Sequence, residues 1–537
     1  MVMENIFESS ILAAYFISLA ILFVFGAHGY VMVYWYNKFR ALDKKPPAPL
    51  QDFPKVTIQL PVFNEMYVVE RLIRAVCEID YPRELLEIQV LDDSTDETTR
   101  LAQRAVEHYQ KQGYAIKLLH RDNRRGYKAG ALREGLAVAS GEFIAIFDAD
   151  FVPPRDFLKR TLPYFQDAKT GVVQTRWGHL NSDYSVLTRG QAIGLDGHFV
   201  VEQTARHRAG YFINFNGTAG VWRRACIVDA GNWSDDTLTE DLDLSYRAQL
   251  RGWKFVFLPD LICPAELPAE IGGVKAQQFR WTKGAMETAK KILPQLWRSQ
   301  WPLSLKLQST IHLTNNLVFP FILLVGILNL PLVLIKNQSK SDNSEYFMII
   351  SVFTLAFFGS FWMYLISQRE VHRDWRRRIL YFPLFMAGSM GLSLNNTRAI
   401  LQGLFRQRSE FLRTPKYCLE SRSDHFFGKK YFNTREQRRQ GMSTGLMEGL
   451  LAAYCLLGIA IAIYYGDLAA IPFQALYGFG YGFIAYMSLK HYLWLRFAST
   501  FFNKNVSGFH FRNPIIVLEA RNISISESNG TDVPTPH

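Results

Sequence analysis

The 537-residue chain predicts an α/β domain with a doubly wound sheet, set between membrane-spanning α-helices. Three observations lead there. Between residues 50 and 300, short strand-like runs alternate with helical ones. On either side, runs poor in charge reach the roughly 20 residues needed to cross a bilayer. The segments that follow or separate those runs are rich in Lys and Arg. With 49% hydrophobic and 14% aromatic residues the chain carries too much apolar surface to stay disordered, and the spanning runs exclude a purely soluble protein.

The first span runs from Ile11 to Val33, interrupted only by Gly26, His28 and Gly29. It is too long for a signal-peptide core and reads as an anchor. Glu4 and Glu8 precede it, and Lys38, Arg40, Lys44 and Lys45 follow, so the positive-inside rule puts the N-terminus outside and the next segment in the cytoplasm. Pro46, Pro47 and Pro49 make a stiff linker. Val56–Leu60 then reads as a strand ended by Pro61, Glu70–Glu78 as a helix, Leu86–Leu91 as a strand and Thr95–Gln112 as a helix. Phe143–Phe147 is a wholly apolar strand. Such strands separated by helices imply a parallel sheet, whose ligands sit beyond the carboxyl ends of the strands.

After Trp301 the chain returns to the membrane, with candidate spans Leu313–Ile335, Phe347–Ser367, Gly445–Tyr465 and Leu468–Leu489. One further crossing by Ile379–Leu404 would put loop 405–441 outside, yet that loop carries ten Lys/Arg against four Asp/Glu. Ile379–Leu404, broken around Gly388, Ser389 and Gly391, is therefore expected as a re-entrant or interfacial hairpin or two short spans. The tail after Ser507 is expected to be disordered and cytoplasmic. The resulting boundaries are 1–37 first span, 38–54 linker, 55–276 soluble domain, 277–308 interface helices, 309–368 spans, 369–441 hairpin and basic loop, 442–495 spans and 496–537 tail.

The net charge of +12, from 60 Lys+Arg against 48 Asp+Glu, suits cytoplasmic loops facing anionic lipid. No stripe of basic residues with interleaved aromatics marks the soluble part, so nucleic acid is not an expected partner. The five cysteines are scattered without a Cys-x-x-Cys pair, which fits reduced thiols better than a disulfide framework or a zinc site.

Two of the strands end in paired acids on one rim: Asp92-Asp93, and Asp148-Ala149-Asp150. Carboxylates one residue apart at a strand end suit a hard divalent cation that also binds phosphate; a strand-capping turn is the plainer reading of either pair alone. Thr239-Glu240-Asp241 reads both as an N-capped helix start, with Thr237 or Thr239 as the cap, and as a carboxylate presented for general-base work. Gln277-Gln278-Phe279-Arg280-Trp281 combines an amide, a fixed cation for phosphate and a flat ring for a sugar; an interfacial segment is its alternative. Residues 284–301 read as an amphipathic surface helix. Lys128 reads as a diphosphate contact or a solvated charge, and Phe215-Asn216-Gly217-Thr218 as an acceptor contact or a turn. His312, Thr314, Asn315, Asn316 and Asn329 either line a hydrated path or bond neighbouring helices.

In order, Asp92-Asp93, Asp148-x-Asp150, Thr239-Glu240-Asp241 and Gln277-x-x-Arg280-Trp281 resemble the D, DxD, TED and QxxRW set of processive, membrane-embedded family 2 glycosyltransferases. The wording around them, including Gly126-Tyr127-Lys128-Ala129-Gly130 and Phe215–Arg223, resembles the cellulose synthase-like A branch, associated with β-1,4-mannan and glucomannan synthesis. The likeness covers residues 50–300. It implies a GT-A type domain with a doubly wound mixed sheet, facing the cytoplasm of an inner or plasma membrane. It implies inverting transfer of a hexose from UDP-glucose or GDP-mannose to the non-reducing end of a growing β-linked polysaccharide, coupled to secretion. The alternative is transfer of one sugar to a membrane lipid.

By the same resemblance, Asp92, Asp93, Lys128, Asp148, Gln277 and Arg280 bind the donor, and Asp148 and Asp150 hold Mg²⁺ or Mn²⁺. Asp241 is the catalytic base, with Glu240 and Arg280 beside it. Trp281, Phe215, Asn216, Gly217 and Thr218 meet the acceptor. Phe411-Leu412-Arg413-Thr414-Pro415-Lys416 resembles the gating loop of cellulose synthases through Phe411, Thr414 and Lys416, with Arg413 where that pattern has Val; a basic loop touching lipid headgroups is the other reading.

Overall fold

The computed structural model describes residues 2–40, 46–339, 343–405, 407, 413–421, 423–424, 429 and 435–505, and the chain divides into two compact units, 1–488 and 489–537. Phe411 and the tail after residue 505 lie outside the described residues.

Among the described residues, seven strands form one mixed sheet in the order β3-β2-β1-β4-β6-β5-β7. They are β1 (Val56–Val62), β2 (Leu86–Asp92), β3 (Ala115–His120), β4 (Phe143–Ile146), β5 (Thr170–His179), β6 (Gly220–Arg223) and β7 (Lys254–Ala265). β1 to β4 run parallel, whereas β6 lies antiparallel between β4 and β5. Strand alternation sorts the apolar residues into two layers. Val56, Ile58, Leu60, Phe143 and Ala145 enter one core, and Ile144, Ile146, Val172 and Trp222 enter the other.

The first strand does not stop at Pro61 but continues to Val62. Val62 O accepts the Asp93 N–H on the β2 side, at 2.9 Å, so Pro61 faces the β4 side. Pairing with β4 ends at Gln59, and no ladder bond there misses the N–H that proline lacks.

A second departure concerns the segment after the sheet. Residues 277–301 do not divide into a motif and a separate surface helix; Ile271–Arg298 is a single 28-residue helix that carries Gln277, Arg280 and Trp281 in its first half. Two glycines near its start and Pro294 near its end disguise it in the sequence. Gly284 is needed for packing: a Cβ there would stand 2.9 Å from Thr239 N and 2.6 Å from its Cγ2.

Among the described residues, five helices are long and apolar enough to cross a membrane: Ile6–Phe39, Leu303–Gln338, Ser344–Val371, Gly441–Tyr465 and Leu468–Lys490. They fall on the five expected spans. Ile379–Leu404 is two short helices, Phe382–Gly391 and Ser393–Leu404, broken at Leu392. Gly391 abuts the Gly480 backbone, a small-residue crossing that lets the last of the five pass close by.

Candidate active site

The carboxyl ends of β1, β2 and β4 open onto a cavity of about 200 Å³, where an α/β sheet of this kind places its ligands. Asp93, Lys128, Asp148, Asp150, Glu240, Asp241, Gln277, Arg280, Trp281, Asn216, Gly217, Thr414 and Lys416 all line it. Four motifs spread over 190 residues thus meet in one cleft.

Asp93, the first residue beyond β2, is clamped by Arg121, whose Nε and Nη2 lie 2.7 and 2.6 Å from its two oxygens. Its neighbour Asp92 turns the other way and does not reach the cleft. The buried Asp92 carboxylate accepts the Ser94 N–H (3.1 Å) and the Thr99 hydroxyl (2.7 Å), and stands 2.8 Å from His120 Nδ1. Asp92 therefore shapes the loop that presents Asp93 and does not itself line the cleft.

Beyond β4, Asp148 and Asp150 each face an ammonium. Lys128 Nζ lies 2.5 Å from Asp148 Oδ1 and donates to Gly217 O at 3.0 Å, and Lys416 Nζ lies 2.6 Å from Asp150 Oδ2. Carboxylate oxygens already matched with positive charge are the hard donors that Mg²⁺ or Mn²⁺ takes, so the residues fit such an ion. Among the described residues no third His, Cys, Asp or Glu groups with them. Asp148 and Asp150 are therefore the residues that would hold such an ion.

Because β6 is antiparallel to β4, its leading loop arrives at the end of β4. The Thr218 hydroxyl accepts the Asp148 N–H at 2.9 Å, and Gly217 takes φ +80°, a conformation natural only to glycine. A Cβ on Gly217 would stand 3.0 Å from Asp241 Oδ2, so the bare backbone makes room for that carboxylate. Phe215 and Thr218 are fully buried and do not line the cavity. Phe215 packs edge-on to Trp222 in the core, leaving Asn216 and Gly217 as the part of the expected acceptor loop that lines the cavity.

Asp241 sits in the first turn of the helix Glu240–Leu250, where the helix dipole favours a carboxylate. Thr239 occupies the cap position, yet its hydroxyl lies against Thr288 Oγ1 at 3.2 Å and does not cap the helix. Burial, reinforced by the adjacent Glu240, raises the Asp241 carboxyl to about 7. Burial raises Glu240 too, against the pull of Lys128. Burial works against the Lys128 ammonium, but Asp148, Glu240 and Asp241 outweigh it and hold that lysine above its ordinary value. Arg280 is brought down by burial while facing Glu240, Asp148, Asp241 and Asp150.

Segment 413–420 lies across the cleft on ionic contacts. Arg413 pairs with Glu65 (3.3 Å), Tyr417 N donates to Glu266 Oε1 (2.8 Å), and Arg71 bonds Glu420 (2.8 Å). Glu65 escaped the sequence reading although it follows β1 as Asp93 follows β2; burial lifts it to about 8. Arg124, stacked 3.3 Å over the Phe63 ring on the cleft wall, was also missed.

A second cavity, of about 530 Å³, shares Asn216, Asp241, Gln277 and Trp281 with the first and extends between the candidate spans. His312, Asn315 and Asn316 line it, as a hydrated path requires. Thr314 and Asn329 do not: Thr314 donates back to Thr310 O within its own helix, and Asn329 accepts from Tyr15 of the first span at 3.0 Å, the helix-bonding alternative. His198 and Glu202, paired at 3.0 Å with His198 also 3.1 Å from Asn216, add polar wall that no local sequence pattern had marked.

Residues 54–284 match the family described as glycosyltransferase like family 2. Glucomannan 4-beta-mannosyltransferase 7 of Arabidopsis thaliana is 42% identical over 270 residues, 49% of this chain and 49% of its own length. A probable glucomannan 4-beta-mannosyltransferase 11 of Oryza sativa subsp. japonica is 44% identical over 272 residues, 50% of this chain and 47% of its own. The chain spans about half the length of the curated relatives it matches. Among solved structures, a mannosyltransferase from Pyrobaculum calidifontis in complex with GDP-Man and Mn²⁺ superposes with TM-score 0.52 at 21% identity, covering 74% of this chain and 100% of that one. That likeness shows the shared GT-A fold.

Proposed function

We propose that the chain, whose residues 54–284 match the family described as glycosyltransferase like family 2, is a membrane-embedded polysaccharide synthase. It moves a hexose from a nucleotide sugar to the end of a β-linked glycan and passes the product between its own spans. The observation that carries this reading is the junction of the two cavities. Asp241, Gln277 and Trp281 belong to both, so a group transferred in the first stands at the mouth of the second.

In the proposed reaction the acceptor hydroxyl oxygen attacks the anomeric carbon as the bond to the diphosphate oxygen breaks. The hydroxyl proton goes to the Asp241 carboxylate, and the nucleoside diphosphate leaves with the bonding electrons. One base and one displacement invert the anomeric centre, giving a β-linkage from an α-linked donor. Arg280 and Lys128 stabilise the charge that builds on the leaving diphosphate. A divalent ion on Asp148 and Asp150 would supply further Lewis-acid stabilisation of that charge when bound. Trp281 offers its ring face to the acceptor sugar, and Asp93, fixed by Arg121, meets the nucleoside end.

The donor in this reading is GDP-mannose and the product a β-1,4-mannan or glucomannan, after the names of the plant relatives. The basic segments flanking the spans support a cytoplasmic position for the catalytic domain. The test is to incubate the detergent-purified chain with labelled GDP-mannose or UDP-glucose, with Mg²⁺ or Mn²⁺, and to size and digest the product. A long chain cleaved by β-1,4-mannanase is expected. Label extracted wholly into lipid would replace synthesis with single-sugar transfer, and no turnover of either donor would refute both.

A further inference from the structure

Lys275 and Glu448 form a buried ion pair between the helix that carries Gln277, Arg280 and Trp281 and a membrane helix. Lys275 Nζ lies 2.7 Å from Glu448 Oε2 and 2.8 Å from Ser488 Oγ. The Glu448 side chain is fully buried and that of Lys275 is 11% exposed. Glu448 belongs to the candidate span Gly441–Tyr465 and Ser488 to the span Leu468–Lys490. Neither charged residue lines the cleft or the channel. An ion pair at such depth is costly and is kept for what it orients.

The helical wheel says what that is. At 3.6 residues per turn, Gln277, Arg280 and Trp281 lie about 140–240° around the axis from Lys275. One face of the helix thus points its three functional side chains at the cavities, and the opposite face is bolted to two membrane helices. The same region is held at its backbone, where the Asn395 side chain donates to Lys275 O at 3.1 Å. Ile271 and Val274 pack on Ile484, and all three line the channel. Apolar packing alone lets a helix slide or turn by small steps; a single directed N–H···O contact fixes one register.

We propose that the Lys275–Glu448 pair is a positioning device that sets the register of the 271–298 helix against the spans, and so fixes where Gln277, Arg280 and Trp281 stand at the junction of cleft and channel. The proposal rests on the glycosyl-transfer reading for its kinetic consequence, and on geometry alone for its structural one.

Both are tested together, in the full-length chain in nanodiscs. Lys275→Met and Glu448→Gln are expected to lower kcat at least tenfold while the donor KM stays within about threefold, the pattern of a lost transition-state interaction. The glycan made should also be shorter. Lys275→Arg, which keeps the charge and the donor, should recover most of the loss. Because a single variant leaves a buried charge and can fail to fold, the double variant Lys275→Met/Glu448→Leu serves as the apolar control, a replacement that folds tolerate well. In parallel, spin labels at positions 295 and 457 of a chain cleared of reactive cysteines report the distance between the two helices. A shifted or broadened distance in the double variant, with kcat down tenfold, supports the proposal. Unchanged distance and kcat in a folded double variant overturn it. If the unaltered chain turns over no nucleotide sugar, the transfer reading falls and the distance alone judges the pair.

Discussion

Replacing Asp241 by Asn isolates the proton acceptor from the rest of the site. The amide keeps the shape of the side chain, and its oxygen can still accept the Leu242 N–H that now bonds Asp241 Oδ1 at 2.8 Å. The space opened by Gly217 is unchanged, and the contacts expected to hold the donor, from Asp93, Lys128, Asp148 and Arg280, are untouched. Only basicity is lost. General-base catalysis contributes about 10²–10⁴-fold, so kcat should fall about 10³-fold, or about 4 kcal/mol at 1.36 kcal/mol per decade, with the donor KM within about threefold. The pH profile supplies the second half of the test. Burial and Glu240 raise the Asp241 carboxyl to about 7, so the base is neutral and idle at lower pH and becomes competent as pH rises through that value. In the unaltered chain log kcat/KM should climb with unit slope up to about pH 7 and then level; in Asp241→Asn that limb should vanish. Glu240→Gln removes the charge that helps raise Asp241 and should move the limb toward acid. The assay is transfer of labelled mannose from GDP-mannose across pH 5–9, with gel filtration to confirm the fold. An Asp241→Asn enzyme that keeps a tenth of its activity, or keeps the limb, refutes Asp241 as the base.

Three other outcomes follow from the same geometry. Lys416→Gln frees Asp150 of its ammonium at 2.6 Å, so titration with Mn²⁺ should show a lower half-saturating concentration, while the donor KM rises severalfold. Arg121→Met strands Asp93, both partners being under 10% exposed; breaking a pair buried to this degree costs about 3–5 kcal/mol, read as a lower melting temperature together with weakened nucleotide binding. Gly284→Ala places a methyl 2.9 Å from Thr239 N, a backbone atom that has nowhere to go. Overpacking of this kind costs about 1–3 kcal/mol, and because it pries the Trp281 helix from the Asp241 helix, transfer should fall further than thermal stability alone explains.

The strand-end rule made Asp93, Asp148 and Asp150 legible because it depends only on where an apolar run stops. It could not separate Asp92 from Asp93. That choice turns on the β2–β3 register, which sets Asp92 opposite His120 and leaves Asp93 as the first residue free of the ladder. Phe215 and Thr218 lie away from the cavity for a related reason: a motif fixes a loop but not which of its side chains face inward, and both of these are fully buried. The 271–298 helix was hidden by Gly272, Gly273 and Pro294, residues whose intrinsic preference opposes a helix and is overridden by packing. His198 and Glu202 had no signal at all. Their meaning comes from Asn216 and from membrane helices more than 100 residues away, and no local pattern encodes that proximity.

The pairing of charges in the cleft accounts for why so many ionisable groups are tolerated in so small a space. Asp93 holds Arg121, Asp148 holds Lys128, Asp150 holds Lys416 and Glu65 holds Arg413. Each acid is neutralised by a base from a different stretch of chain, and a buried charge is stable only when so paired. Two of those bases, Lys128 and Lys416, sit on the two carboxylates that suit a divalent ion. A nucleotide sugar brings a diphosphate, which is anionic, and a divalent ion brings the compensating positive charge. Asp148 and Asp150 would hold such an ion, and Lys128 and Lys416 stand where they would pair with the diphosphate, so the added charges would balance. Asp241 plays a different part. Burial and the adjacent Glu240 raise it to about 7 against the pull of Lys128, which poises it to take a proton in the proposed reaction. In the proposed reaction the acids paired with Arg121, Lys128 and Lys416 meet the donor, and Asp241 serves the acceptor.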